Sequence, residues 1–72
     1  MNQDLSKFET ERELFGEFRK AITLRNTPYA KEIIFEYGKR KYSTMNGEPL
    51  YVVFNRNPVL KEWYEKGLAT GE

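Results

Sequence analysis

The apolar positions of the chain change period along its 72 residues, and the changes predict its elements. Leu14, Phe15, Phe18, Ala21 and Ile22, with Arg25 continuing the line, recur at three- and four-residue steps, while Glu11, Glu13, Glu17 and Lys20 fall largely on other faces. That spacing predicts an amphipathic helix with one apolar stripe. Two starts fit the S/T-x-x-E capping box, Ser6 with Glu9 and Thr10 with Glu13, because in each a hydroxyl can accept from a free backbone N–H while the glutamate reaches back. Glu9, Glu11 and Glu13 near the start and Arg19, Lys20 and Arg25 near the end complement the helix dipole. Asn26-Thr27-Pro28 ends the element, since proline lacks a donor and turns the residue before it away from helical angles.

Residues 30–37, AKEIIFEY, read in two ways. Ala30, Ile33, Ile34 and Tyr37 make a helical face, with Pro28 near its first turn and Gly38 past its end; Ile33, Phe35 and Tyr37 alternate as a strand does. The strand reading draws support from residues 38–42. A two-residue loop at Gly38-Lys39 puts glycine where a type II′ turn requires it, and the register then sets Glu36 opposite Lys41 and Phe35 opposite Tyr42. A second turn at Asn46-Gly47-Glu48-Pro49 leads into Leu50 to Asn55 as a third strand. One sheet face then carries Ile33, Phe35, Tyr37, Tyr42, Tyr51 and Val53 as the core, and a one-residue slip in any strand exchanges its faces. Asn57-Pro58 opens a last helix with Leu60, Trp63 and Tyr64 inward, and Gly67 is placed to end it.

The predicted fold is therefore α+β, a single domain over residues 1–72 with the order α-β-β-β-α, a three-stranded antiparallel meander covered by helices, and fraying at 1–5 and 68–72. The alternative is α-α-β-β-α, with residues 28–37 helical. The first order is also that of the double-stranded-RNA-binding domain. In that family a basic motif opens the last helix, whereas Asn57-Pro58-Val59-Leu60-Lys61-Glu62 has one cation and one acid, so the likeness stops at the order of elements.

Composition narrows the function more than the fold. A chain this short buries only about 60% of its unfolded surface, and its eleven aromatic residues are an efficient way to build a small core. There is no cysteine and no histidine, so thiolate chemistry, zinc-cysteine sites and the usual neutral-pH general base are excluded, and neither a cofactor nor a metal is expected. The carboxylate pairs Glu62/Glu65 and Glu9/Glu13 fit solvated helix faces better than a catalytic cleft. No apolar run is long enough to span a bilayer and the start is polar, so the expectation is a soluble, cytoplasmic protein that acts without a membrane. The net charge of +1 gives no global field to recruit nucleic acid.

Binding is what this inventory leaves, and two surfaces compete for it. The off-core sheet face presents Ile34, Met45, Leu50, Val52 and Phe54, an apolar strip suited to another protein or to a second copy of this chain in a homodimer. On that strip rests the expectation of a non-catalytic protein-interaction module, an adaptor or inhibitor that occludes a partner's surface, of the kind small mobile elements encode. The alternative is a nucleic-acid-binding hairpin, in which Lys39, Arg40 and Lys41 pair phosphates while Tyr37 and Tyr42 stack on bases.

Overall fold

The computed structural model describes Leu5 and residues 7–70, and over that range the chain is mostly helical. The elements run α1 (Glu11–Thr23), α2 (Thr27–Lys39), β1 (Thr44–Met45), β2 (Glu48–Pro49), α3 (Leu50–Arg56) and α4 (Pro58–Thr70). The three-stranded meander is replaced by a two-stranded hairpin between two pairs of helices. The alternative order α-α-β-β-α comes nearer, with residues 50–56 as a further helix.

Of the two expected starts, α1 uses Thr10, whose hydroxyl accepts from the Glu13 N–H at 3.2 Å; Ser6 lies outside the described residues. Glu13 reaches back to the Glu9 N–H, also at 3.2 Å, closing the reciprocal arrangement one residue early. The helix ends in a Schellman motif: Asn26 N–H donates to the Ala21 carbonyl and Arg25 N–H to that of Ile22. Arg25 therefore takes the left-handed conformation, with φ 58°. Thr27 and Pro28, expected as a break, already belong to α2, whose first turn is capped by the Asn26 side chain.

Residues 30–37 are helical because the i, i+3, i+4, i+7 face wins. Ala30, Ile33, Ile34 and Tyr37 are all buried, whereas Phe35, a core residue in the strand reading, is only partly so. The expected cross-strand pairs give way to local ones, with Glu36 bonded to Arg40 one turn on. Gly38 makes no hairpin. α2 runs through it and ends in a second Schellman motif, Tyr42 N–H to the Tyr37 carbonyl and Lys41 N–H to that of Gly38, with Lys41 at φ 58°.

The Asn46-Gly47 turn forms as expected. Both residues have positive φ, 53° and 87°, as a type I′ turn needs, and Thr44 pairs with Pro49 and Met45 with Glu48. Beyond Pro49 the chain turns helical, because Leu50, Val53 and Phe54 then gather on one face toward the core. Tyr51, expected in the core, is 77% exposed. Asn57-Pro58 does open the last helix, but Gly67 does not end it: α4 continues to Thr70, and residues 68–70, expected to fray, are helical.

α2 is the central element, with α1 packed on one side and α4 on the other. The core holds Leu14 and Ala21 from α1, the buried face of α2, Met45, Leu50, Val53 and Leu60, together with Leu5 from the segment before α1. The backbones of α1 and α4 do not come together.

Candidate functional site

Since α1 and α4 share a partner but not a contact, a cleft lies between them. Leu14 and Ala21, seven residues apart, turn toward α2. Phe15, Phe18 and Ile22 stand on the neighbouring line of α1 and form one wall of the cleft. On α4, Leu60 and Gly67 are buried, and Val59 and Trp63 form the opposite wall. The floor is Met45, Val53 and Leu60, each buried. The resulting groove has a volume of about 440 Å³, in the range that ligand sites occupy. At its lips Ile22 is 54% exposed and Val59 46%.

Polar groups hold the hairpin in place at this groove. Arg56 Nη2 donates to Glu48 Oε1 at 2.7 Å, tying α3 to β2. The Glu11 carboxylate accepts the Asn46 N–H at 2.8 Å and also the Tyr37 hydroxyl, so one side chain of α1 fixes both the turn and the central helix. Burial first, then the hydrogen bond and charge of Glu11, push the Tyr37 phenol well above its ordinary range. The Tyr64 hydroxyl donates to the Tyr42 carbonyl at 2.6 Å, fastening the segment before the hairpin to α4.

Of the five residues of the nucleic-acid reading, Tyr37, Arg40 and Tyr42 are engaged in packing and hydrogen bonds, and Lys39 and Lys41 are exposed. Tyr37 is fully buried, in an edge-to-face pair with Tyr42 whose ring centroids are 5.3 Å apart. Arg40 bonds Glu36 through Nε at 2.8 Å, the Tyr42 hydroxyl at 3.1 Å, the Leu5 carbonyl at 2.9 Å and the Phe8 carbonyl. Burial works against its charge, but the hydrogen bonds it donates to Tyr42 and Glu36 outweigh it, and the guanidinium pKa stands above its ordinary value. Arg40 is thus a clamp between the end of α2 and the segment ahead of α1. Lys39 lies 3.9 Å from Glu36, and Lys41 is the exposed residue in the left-handed position.

The apolar strip is not assembled as a sheet face, because its residues sit on three different elements. Ile34 is fully buried on α2, Met45 and Leu50 are buried, and Val52 and Phe54 are partly buried on α3. Of the five, Met45 lines the groove. Phe15, Phe18, Ile22 and Trp63 belong to stripes that the sequence pattern assigns to the core, and Val59 belongs to none. The available signal is the width of the α1 stripe, which spans two lines of the helix when one neighbouring helix covers only one.

Among the described residues no helix is long and apolar enough to cross a membrane. Compared with protein-family models, curated proteins and solved structures, the chain matches none.

Proposed function

We propose that this protein is a non-catalytic protein-interaction module, an adaptor or inhibitor, that takes an apolar segment of a partner protein into the groove between α1 and α4 and so occludes the partner's surface. One observation carries the reading. Ile22 and Val59 are half exposed on opposite lips above Phe15, Phe18 and Trp63, which leaves contiguous apolar area in water that an occupant would cover. Both walls are helices, so a third helix that buries one face in the groove continues the packing already present. A nucleic-acid role draws less support, since Tyr37 and Arg40 are committed to the fold and the exposed cations of that cluster are Lys39 and Lys41.

The test is capture of partners from lysate with the wild-type chain and with Ile22→Lys. That side chain is half exposed, so the substitution leaves the fold intact, which circular dichroism verifies. The expected result is a captured protein that persists through nuclease treatment and is lost with Ile22→Lys. Capture that disappears with nuclease or with Lys39→Glu/Lys41→Glu, and ignores Ile22→Lys, would overturn the proposal in favour of phosphate binding.

A further inference from the structure

Among the turns and caps of this fold, one carries chemistry as well as shape. Asn46 and Gly47 form the exposed tip of the hairpin, and an asparagine followed by glycine can lose its side-chain amide to its own backbone. The Gly47 nitrogen attacks the Asn46 side-chain carbonyl carbon and gives up its proton; the bond to Nδ2 breaks and ammonia leaves, closing a succinimide ring. Water then opens the ring. Addition at the side-chain carbonyl gives aspartate, and addition at the main-chain carbonyl gives isoaspartate, whose backbone runs through the former side chain. One water enters, one ammonia leaves, and nothing is oxidised or reduced.

The other asparagines among the described residues are denied this reaction. The Asn26 side chain accepts the Tyr29 N–H at 3.4 Å as the cap of α2, and the Thr27 that follows it is β-branched. Asn55 and Arg56 both lie within α3. Asn57 precedes Pro58, which has no N–H to give up. At Asn46 these obstacles are missing. Its bond to Glu11 is made by the backbone N–H, and among the described residues its side-chain amide has no partner. The Gly47 N–H stands outside the ladder, which pairs Thr44 with Pro49 and Met45 with Glu48. Nothing lies within 4 Å of where a Gly47 side chain would stand, so ring closure meets no neighbour and water has access.

We propose that Asn46 is a self-modifying site, which converts in the folded protein and acts as a one-way switch on the hairpin. Either product places a carboxylate at a turn flanked by Glu11 of α1, which accepts the residue-46 N–H, and by Glu48, whose own charge is paired with Arg56. The new charge repels the Glu11 carboxylate, so the tie between turn and α1 weakens. Isoaspartate also lengthens the main chain by one carbon, and the two-residue loop then no longer fits the register that brings Met45 to Glu48. Met45 is buried on the floor of the groove, so the switch loosens that floor. An effect on partner binding rests on the groove being the binding site, whereas the conversion itself does not.

The test keeps the full chain folded in mildly alkaline buffer for weeks beside the same chain in urea. Peptide mapping follows each asparagine, and enzymatic methylation specific for isoaspartate separates the two products. The expected result is loss of the Asn46 amide in the folded chain while Asn26, Asn55 and Asn57 keep theirs. The converted protein and Asn46→Asp should both unfold at lower urea than the wild type. Conversion in urea alone would overturn the proposal, since the folded turn would then protect Asn46, and so would conversion spread evenly over the four asparagines. Conversion at Asn46 with the urea midpoint unchanged, in the converted protein and in Asn46→Asp alike, would overturn the switch.

Discussion

Gly38 of α2 and Gly67 of α4 meet where the two helices cross, and a side chain on either would run into the backbone of the other helix. A Cβ on Gly38 would overlap the Tyr64 carbonyl oxygen and stand 2.8 Å from the Leu68 nitrogen and 3.0 Å from the Gly67 Cα. A Cβ on Gly67 would overlap the Phe35 carbonyl oxygen and stand 3.1 Å from the Gly38 Cα. The obstacles are backbone atoms, which cannot swing aside as a side chain can. Backbone thus packs on backbone at the crossing of α2 and α4, the close approach that only glycine permits.

Gly38→Ala or Gly67→Ala is therefore expected to force the helices apart and cost at least about 2–3 kcal/mol, a large part of the stability of so small a domain. Gly16 is the control. It lies in the middle of α1 with nothing within 4 Å of its Cβ position, so Gly16→Ala is expected to add about 0.5–1 kcal/mol by helix propensity alone. Urea unfolding followed by circular dichroism measures both. A neutral Gly38→Ala would contradict the close crossing.

Arg25 and Lys41 hold the left-handed C′ position of two Schellman motifs, at a steric cost that glycine does not incur. Both side chains are exposed, so little is lost by removing them. Arg25→Gly and Lys41→Gly are each expected to stabilise the domain by about 0.5–1 kcal/mol, offset in part by the greater freedom of the unfolded chain. The urea midpoint should rise while the slope stays constant.

Arg40 joins the end of α2 to the Leu5 and Phe8 carbonyls, and its guanidinium reaches several acceptors at once. Arg40→Met removes charge-assisted hydrogen bonds and is expected to cost about 2–3 kcal/mol. Arg40→Lys should restore little of it, since a single ammonium cannot span the same acceptors. Hydrogen exchange gives the specific readout, with amides near Phe8 losing protection before those of α4.

The buried Tyr37 phenol makes stability fall at alkaline pH. Its folded pKa is raised above the unfolded value near 10, so the protonated form is the one that folds, and its contribution is complete below that pH. As pH rises further the unfolded chain releases a proton that the folded chain keeps, and stability declines by about 1.4 kcal/mol per pH unit from this residue. Tyr29, pushed up to about 12 by burial and its bond to Glu17, adds in the same direction with weaker effect because it is partly solvated. Tyr37→Phe is expected to lower stability at neutral pH and flatten the decline above pH 10, as read from urea midpoints across that range. An unchanged alkaline slope would remove Tyr37 from the account.

The groove is only partly legible in the sequence. Most of its wall residues are visible as apolar stripes, and Met45 falls among the expected binding residues, but the surface itself depends on α1 and α4 standing apart on either side of α2. No local pattern encodes that separation. The basic cluster at 39–41 is likewise only partly legible, because a run of cations looks alike whether each faces solvent, as Lys39 and Lys41 do, or, as with Arg40, reaches back across the chain to the Leu5 carbonyl.

What the sequence determined by itself is what depends on near neighbours. The Thr10 cap, the Asn46-Gly47 turn, the start of α4 at Pro58 and the lack of histidine and cysteine side chains all follow from residue types acting within a turn of chain. Tertiary structure decided the state of residues 30–37 and 50–55. Each run is apolar at both helical and strand spacing, and the choice fell to whichever conformation buried more against the rest of the molecule. Gly38 and Gly67 show the same limit. A glycine near the end of an apolar stripe reads as a stop signal, and only the arrival of another helix at that point turns it into a contact.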